Sequence, residues 1–324
     1  MARILVISEP TRRSITKTTL GILEKLADFD TEVAIIGKID RASIDLIQKY
    51  GVTRINLLKG DCIKKYSPEA YSHALNTFIE NNSFDVIIGS ATPIGQDIFP
   101  NLSARYGTAL ASGVNDFFFK DKKLFGTKRL YNGKCIVDIE LLGPKPWFIT
   151  IVPGALNSKN KKRKRHCKVL EFNIPDCDIH AQVSEISNNP AARPPLEDAD
   201  IIVAGGRGMG NGDKLSILAE LADTLGAGLG ASGGAVGNDF APKEYLIGQS
   251  GTRISPLLYI ACGISGAVHH IVGIRNAKKI LAINTDANAP LMKMADYAII
   301  GNLHDIVPAI TKQLSVKRHD DLVE

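Results

Sequence analysis

Residues 201–226 read IIVAGGRGMGNGDKLSILAELADTLG, and the order of textures in this stretch decides the fold. Ile201 to Ala204 is an apolar, β-branched run of the length of a buried strand, and Gly205 to Gly212 is a glycine-rich turn. Leu215 to Gly226 then carries apolar residues at helical spacing and ends on a glycine, the usual helix stop. Strand, glycine turn and helix make one βα unit. The pattern recurs where KILAIN (279–284) leads into APLMKMA (289–295), and where DYAIIG (296–301) leads into LHDIVPAITKQL (303–314). Repeated βα units bury both faces of a parallel sheet, so this half predicts a small doubly wound α/β domain.

The preceding half has the same texture on a larger scale. RILVIS (3–8), EVAIIG (32–37), RINLLKG (54–60) and FDVIIGSA (84–91) alternate with helical patterns, which predicts a second doubly wound domain with a parallel sheet. From Thr108 to Pro153 the apolar runs follow one another through turns without a helix, an antiparallel extension of that sheet. The half contains neither G-x-G-x-x-G nor a Walker loop; GSATPIGQD (89–97) reads equally as a phosphate loop or a plain strand-to-helix turn. The polar, proline-rich stretch SEISNNPAARPPLEDAD (184–200) is the linker. The expected organisation is an N-terminal α/β domain over 1–190 and a smaller C-terminal dinucleotide-binding domain over 191–324.

With 324 residues, 44% of them hydrophobic, the chain can bury two cores. No apolar run reaches the roughly 18 residues of a membrane helix and the N-terminus lacks a signal-peptide pattern, so the expectation is a cytoplasmic protein, not a membrane one. Much of the +5 charge lies in Lys159 and the run Lys161 to Arg165. Without an aromatic platform or a nucleic-acid motif, that run reads as a solvated loop, and no nucleic-acid partner is expected. The five cysteines contain no C-x-x-C pair, and His166, Cys167, Cys177 and His180 follow no usual zinc spacing, so neither a redox dithiol nor a metal site is expected.

Function should reside in the glycine-rich turns: GGRGMGNG (205–212), GAGLGASGGAVG (226–237), GQSG (248–251) and CGISG (262–266). Glycine lets backbone amides approach a ligand, and amides at a helix N-terminus attract anions, so several such turns on one sheet suggest a pyrophosphate and hence a dinucleotide. Arg207 would clamp a phosphate or lie against a planar ring. Asn284 and Asp286 suit ribose or adenine, and equally an Asx turn or a cap. His269 and His270, adjacent on a helix, point apart, which argues against a two-histidine metal site and leaves one imidazole for a ligand.

The run GQSGTRISPLLYIACGISGAVHHIVGI (248–274), followed by LAINTDANAPLMKMADYAIIGNL (281–303), closely resembles the signature of the electron transfer flavoprotein alpha subunit, the fixB-like family. ILVISE, DVIIGSAT and VPGAL extend the resemblance through the first half. The resemblance implies FAD in the C-terminal domain and a heterodimer with a beta subunit, in which AMP or a second FAD is bound. Electrons would pass between flavin dehydrogenases and a quinone reductase or ferredoxin, with no general acid or base.

Carried over by motif, Arg207 and Ser232 contact FAD, and Gly248, Gln249, Ser250 and Gly251 reach the flavin ring. Ser265, Gly266, Ala267, Val268, His269 and His270 take the pyrophosphate and the pyrimidine edge, with His270 near a ring carbonyl. Asn284, Asp286, Asn302 and Leu303 hold the nucleotide end. The chain departs from the family at Gly233, where arginine is usual, and at His269, Ser250 and Asn302, where glutamine, threonine and aspartate are usual. Losing one charge-assisted hydrogen bond, about 1.5–3 kcal/mol, moves a one-electron couple by roughly 65–130 mV, and His269 or Arg253 is the expected substitute. The competing readings are an NAD- or nucleotide-binding enzyme on the same fold, and one part of a flavin-based bifurcating complex.

Overall fold

Ile4, Leu5, Val6 and Ile7 are all buried, a run that is stable only as a strand covered on both faces. In the computed structural model, which describes residues 2–9, 14–131, 135–156, 158, 166–180, 183 and 193–320 (side chains to 315), they form the central strand of a parallel sheet. The basic run Lys161 to Arg165 and the linker residues 184–192 lie outside the described residues. The chain divides into two compact units, Met1–Asn188 and Asn189–Glu324.

The strands of the first unit are β1 (Arg3–Ser8), β2 (Asp30–Ile36), β3 (Arg54–Lys59), β4 (Val86–Ser90), β5 (Leu110–Val114), β6 (Asp116–Lys120), β7 (Lys123–Leu130), β8 (Cys135–Glu140), β9 (Trp147–Ile151) and β10 (Lys168–Asn173). Its helices are α1 (Lys17–Lys25), α2 (Arg41–Gln48), α3 (Pro68–Glu80) and α4 (Pro93–Tyr106). Seven strands pair in parallel in the order β10-β3-β2-β1-β4-β9-β5. The period-two alternation of β1 divides the core. Ile4 and Val6 pack with Ile22 of α1 and Ile47 of α2, whereas Leu5 and Ile7 pack with Phe78 of α3 and Phe99 of α4. The antiparallel stretch anticipated after Thr108 is β6-β7-β8, a three-stranded sheet of its own, while the flanking β5 and β9 join the parallel sheet.

One carboxyl in this unit carries a pH dependence. Burial at the end of β1 pushes Glu9 from 4.5 to about 7, opposed by the Thr92 hydroxyl, which donates to Glu9 Oε2 at 2.7 Å. A group that binds its proton more tightly when folded contributes stability that is fully present below its unfolded pKa and lost as pH rises through the folded one. Glu9 should therefore remove about 3 kcal/mol between pH 4.5 and 7. Urea unfolding of Glu9→Gln should show a flatter profile across that window and higher stability than the parent at pH 8; parallel profiles would contradict the assignment.

The second unit contains β11 (Ile201–Gly205), β12 (Gly228–Ser232), β13 (Leu246–Ile247), β14 (Leu258–Cys262), β15 (Lys279–Asn284) and β16 (Tyr297–Ile300), with α5 (Leu215–Leu225), α6 (Gly233–Val236), α7 (Val268–Ile274), α8 (Pro290–Met294) and α9 (Leu303–Asp320). All its strands are parallel, in the order β13-β12-β11-β14-β15-β16. Numbered within the unit this is 3-2-1-4-5-6, the doubly wound order whose direction reverses between β11 and β14. Ile202 and Ala204 face the layer of α7 and α8, and Val203 faces that of α5 and α9. Among the described residues, no helix is long and apolar enough to cross a membrane and no group of three potential metal ligands occurs.

Candidate functional site

Doubly wound sheets bind ligands at the carboxyl ends of their strands, at the point where strand order reverses. Here that point is the pair of turns following β11 and β14, and the two turns are pressed together. Gly206 N donates to the Cys262 carbonyl at 2.9 Å and Gly208 N to the Gly263 carbonyl at 3.1 Å. A Cβ on Gly206 would lie 2.1 Å from Gly263 O, and one on Gly263, whose φ is +64°, would lie 2.8 Å from Gly208 Cα. The glycines expected to admit a ligand's phosphates thus first admit each other's backbone. The same holds along the edge, where Gly266 closes on Leu291 and Gly248 on Gly273 of α7.

A small set of other groups lies along this edge. Arg207 begins a short 3-10 turn, is exposed, and runs across Gly234, whose Cβ would lie 3.0–3.1 Å from the arginine Cγ, Cδ and Nε. Ser232 is buried and caps α6, accepting from the Ala235 amide at 3.3 Å. Gly233 beside it is exposed, and a Cβ there would meet nothing nearer than Leu246 Cδ1 at 3.8 Å, so its backbone does not require glycine.

Gln249, Ser250, Ser265, Ala267, Val268 and His269 are also exposed. The Gln249 amide donates to the His269 carbonyl at 2.8 Å, and the His269 Nδ1–H donates to Gln249 Oε1 at 2.6 Å, a reciprocal tie between the β13 turn and α7. That acceptor fixes the tautomer and leaves His269 Nε2 as the outward nitrogen. Ala267 offers no side-chain cap to α7, so the first amides of that helix lack an acceptor within it.

His270, which the resemblance places near a ring carbonyl, is turned into the protein. It is buried, its Nδ1–H donates to the Ile247 carbonyl at 3.1 Å, and its Nε2 accepts from the Tyr259 hydroxyl at 2.8 Å. Both ring nitrogens are occupied within the protein. Burial lowers its pKa to about 4, against the Ile247 carbonyl, so the ring is neutral. Of the two imidazoles, only that of His269 is exposed. Tyr259 was not legible as a site residue, its only signal being one polar-tipped aromatic in the aliphatic run LLYIAC.

At the nucleotide end, Asn284 Nδ2 donates to the Ile264 carbonyl at 3.2 Å and Asn284 Oδ1 accepts from the Asp286 amide at 3.1 Å. Asp286 Oδ1 accepts from the Asn288 amide at 2.9 Å. These are consecutive Asx turns, and Asn284 also ties β15 to the β14 turn. Asn302 Oδ1 accepts from the His304 amide at 3.1 Å at the start of α9. Leu303 is buried against Gly263, in the core. Lys214 Nζ donates to His304 Nε2 at 3.4 Å, and the buried His304 Nδ1 has no partner, a polar group near this end that sequence patterns did not single out.

Residues 195–275 match the family model described as "Electron transfer flavoprotein FAD-binding domain", and residues 5–177 match "Electron transfer flavoprotein domain". The chain is 33% identical to the electron transfer flavoprotein subunit alpha of Thermoanaerobacterium thermosaccharolyticum, over 91% of this chain and 91% of that protein. It is 32% identical to the Bacillus subtilis subunit alpha, over 97% of this chain and 98% of that protein. Protein FixB of Clostridium saccharobutylicum is 31% identical, over 82% and 81% respectively.

Proposed function

The chain belongs to the electron transfer flavoprotein alpha-subunit family, and on that premise we propose that it holds FAD along the carboxyl edge of its C-terminal sheet as the electron-carrying half of a heterodimer with a beta subunit. In this reading the complex works in the cytoplasm and passes electrons from flavin dehydrogenases to a quinone reductase or a ferredoxin. The beta subunit carries AMP or a second FAD.

The observation that carries the reading is the exposed edge of the 3-2-1-4-5-6 sheet, where Arg207, the uncapped start of α7 and the Gln249–His269 pair remain available. These residues fit the cofactor. Uncapped amides at Val268 and His269 suit a pyrophosphate, Arg207 adds a fixed positive charge, and the open face at Gly233 leaves room for a planar ring. Ser232, Gly248, Gln249, Ser250 and Gly251 line the ring side; Ser265, Gly266 and Ala267 the phosphates; Asn284, Asp286 and Asn302 the nucleotide end. FAD, when bound, supplies a ring that takes and gives electrons one or two at a time. The chain's task is to bind it, orient it and set the charge around it.

His269 bears most of that last task. With Nδ1–H held by Gln249, the ring is fixed with Nε2 facing outward, placed to stand in for the side chain that glycine at 233 lacks. His269→Gln should lower the flavin midpoint potential by roughly 65–130 mV, and Gly233→Arg, sterically free, should raise it by a similar amount. Anaerobic redox titration of the alpha–beta complex reads both. An unchanged potential in His269→Gln would remove His269 from this role and transfer the question to Arg253. The same titration tests the carrier function, which predicts reduction in two resolved one-electron stages; a single two-electron stage would contradict it.

A further inference from the structure

In the first unit, β3 and β10 run parallel with Lys59 opposite Asn173, and the two segments stay in contact beyond their strand ends. The Ile174 amide donates to the Lys59 carbonyl at 2.7 Å, and a Cβ on Gly60 would meet Ile174 Cβ and O at 3.1 Å. Chains held together to that point bring Cys62, just beyond Gly60, to Cys177, just beyond Ile174. The Cys62 thiol donates to the Pro175 carbonyl at 3.7 Å, and the Cys177 thiol is its close neighbour. Both line one solvent-open cavity of about 390 Å³, shared with Asp176, Asp178, Ile179 and His180. The other cysteines have no such neighbour: Cys135 and Cys167 hydrogen-bond adjacent carbonyls, and Cys262 is fully buried.

We propose that Cys62 and Cys177 form a reversible disulfide in the folded protein, a clamp between the turn after β3 and the segment by which the chain leaves β10. No C-x-x-C motif announces the pair, because the parallel pairing of β3 with β10 brings together cysteines far apart in sequence. The oxidant is a low-molecular-weight disulfide such as oxidised glutathione. The Cys62 thiolate attacks one of its sulfurs, forming a mixed disulfide and releasing one glutathione thiol. The Cys177 thiolate then attacks the protein-bound sulfur of that mixed disulfide and releases the second. The protein gives up two electrons and two protons, and both appear in two molecules of glutathione.

Cys62 attacks first because burial, the Cys62 hydrogen bond and the nearby Asp176 and Asp178 push the Cys177 thiol up to about 11. Surroundings that disfavour a thiolate make the bond slow to form and, once formed, hard to reduce. The pair is a clamp set over minutes to hours and not a fast sensor.

The test incubates the purified full-length chain with oxidised glutathione at pH 8, alkylates the remaining thiols, and maps a non-reducing digest by mass spectrometry. Free thiols should fall from five to three, with one cross-linked peptide joining Cys62 to Cys177. Cys62→Ser and Cys177→Ser should each abolish that cross-link, and dithiothreitol should restore five thiols in the parent. The proposal fails if all five thiols are still free after the incubation, counted by alkylation once the chain is unfolded, or if the linkages match the scrambled set formed by oxidation in denaturant. It also fails if the two thiols are protected but are released by a chelator instead of a reductant, which would mean a bound soft metal ion.

Discussion

Replacing Gly206 by alanine should strip the C-terminal domain of its flavin while the N-terminal unit stays folded. The new Cβ would lie 2.1 Å from Gly263 O and 2.8 Å from Ile264 Cα, both backbone atoms that no side-chain rotation can move aside. The turns after β11 and β14 would have to part, breaking the bonds from Gly206 N to the Cys262 carbonyl and from Gly208 N to the Gly263 carbonyl. Overpacking costs about 1–3 kcal/mol where side chains can yield, and a backbone collision belongs at the upper end. About 3 kcal/mol corresponds to FAD binding weaker by roughly a hundredfold. Equilibrium dialysis with FAD measures it, with Gly233→Ala as the companion, since a Cβ there meets only Leu246 Cδ1 at 3.8 Å. Equal affinity in the two variants would refute the role given to the paired turns.

A second large effect is expected at the amino end of the N-terminal sheet. Glu32 in β2 has a side chain only 3% exposed and is held by Arg3, with Nη2 at 2.6 Å and Nε at 3.1 Å from Oε1. Asn56 Nδ2 donates to its other oxygen at 3.1 Å, and Arg54 stands 3.6 Å away. Removing one partner of a buried pair strands the other charge, a loss of about 3–5 kcal/mol. Arg3→Ala should cost the lower part of that range, because Arg54 remains. It also loses the guanidinium stacking over Phe84 at 4.7 Å. Adding Glu32→Leu should recover part of the loss, since the stranded charge is then gone. Urea unfolding of the single and double variants decides it; a loss below about 1 kcal/mol for Arg3→Ala would place the pair with ordinary surface bridges.

The βα units were legible because burial on both faces leaves a continuous apolar run, as in Ile201 to Ala204 and Ile4 to Ile7. Antiparallel pairing between Asp116 and Glu140 was legible from runs joined by turns without helices. That β5 and β9 leave this group for the parallel sheet was not, because strand neighbours are chosen by long-range packing, such as Phe148 against Phe99, which local pattern does not carry. At the candidate site, sequence located the turns but not what they approach. Gly206, Gly208 and Gly263 look alike as possible phosphate contacts and as mutual packing partners until their backbones are seen together. Helical periodicity required His269 and His270 to diverge, and they do. Which of the two is buried depends on Tyr259 and the Ile247 carbonyl, groups 11 and 23 residues away from His270. The Cys62–Cys177 pair was illegible for the same reason, since only the pairing of β3 with β10 creates it.

The most direct test of the central claim is the visible absorption spectrum of this chain purified in complex with its beta subunit, followed by extraction and counting of the flavin. Flavin bands and at least one FAD per alpha chain are expected, with one FAD per alpha chain lost in Gly206→Ala. A folded, colourless complex that takes up NAD in place of FAD would contradict it.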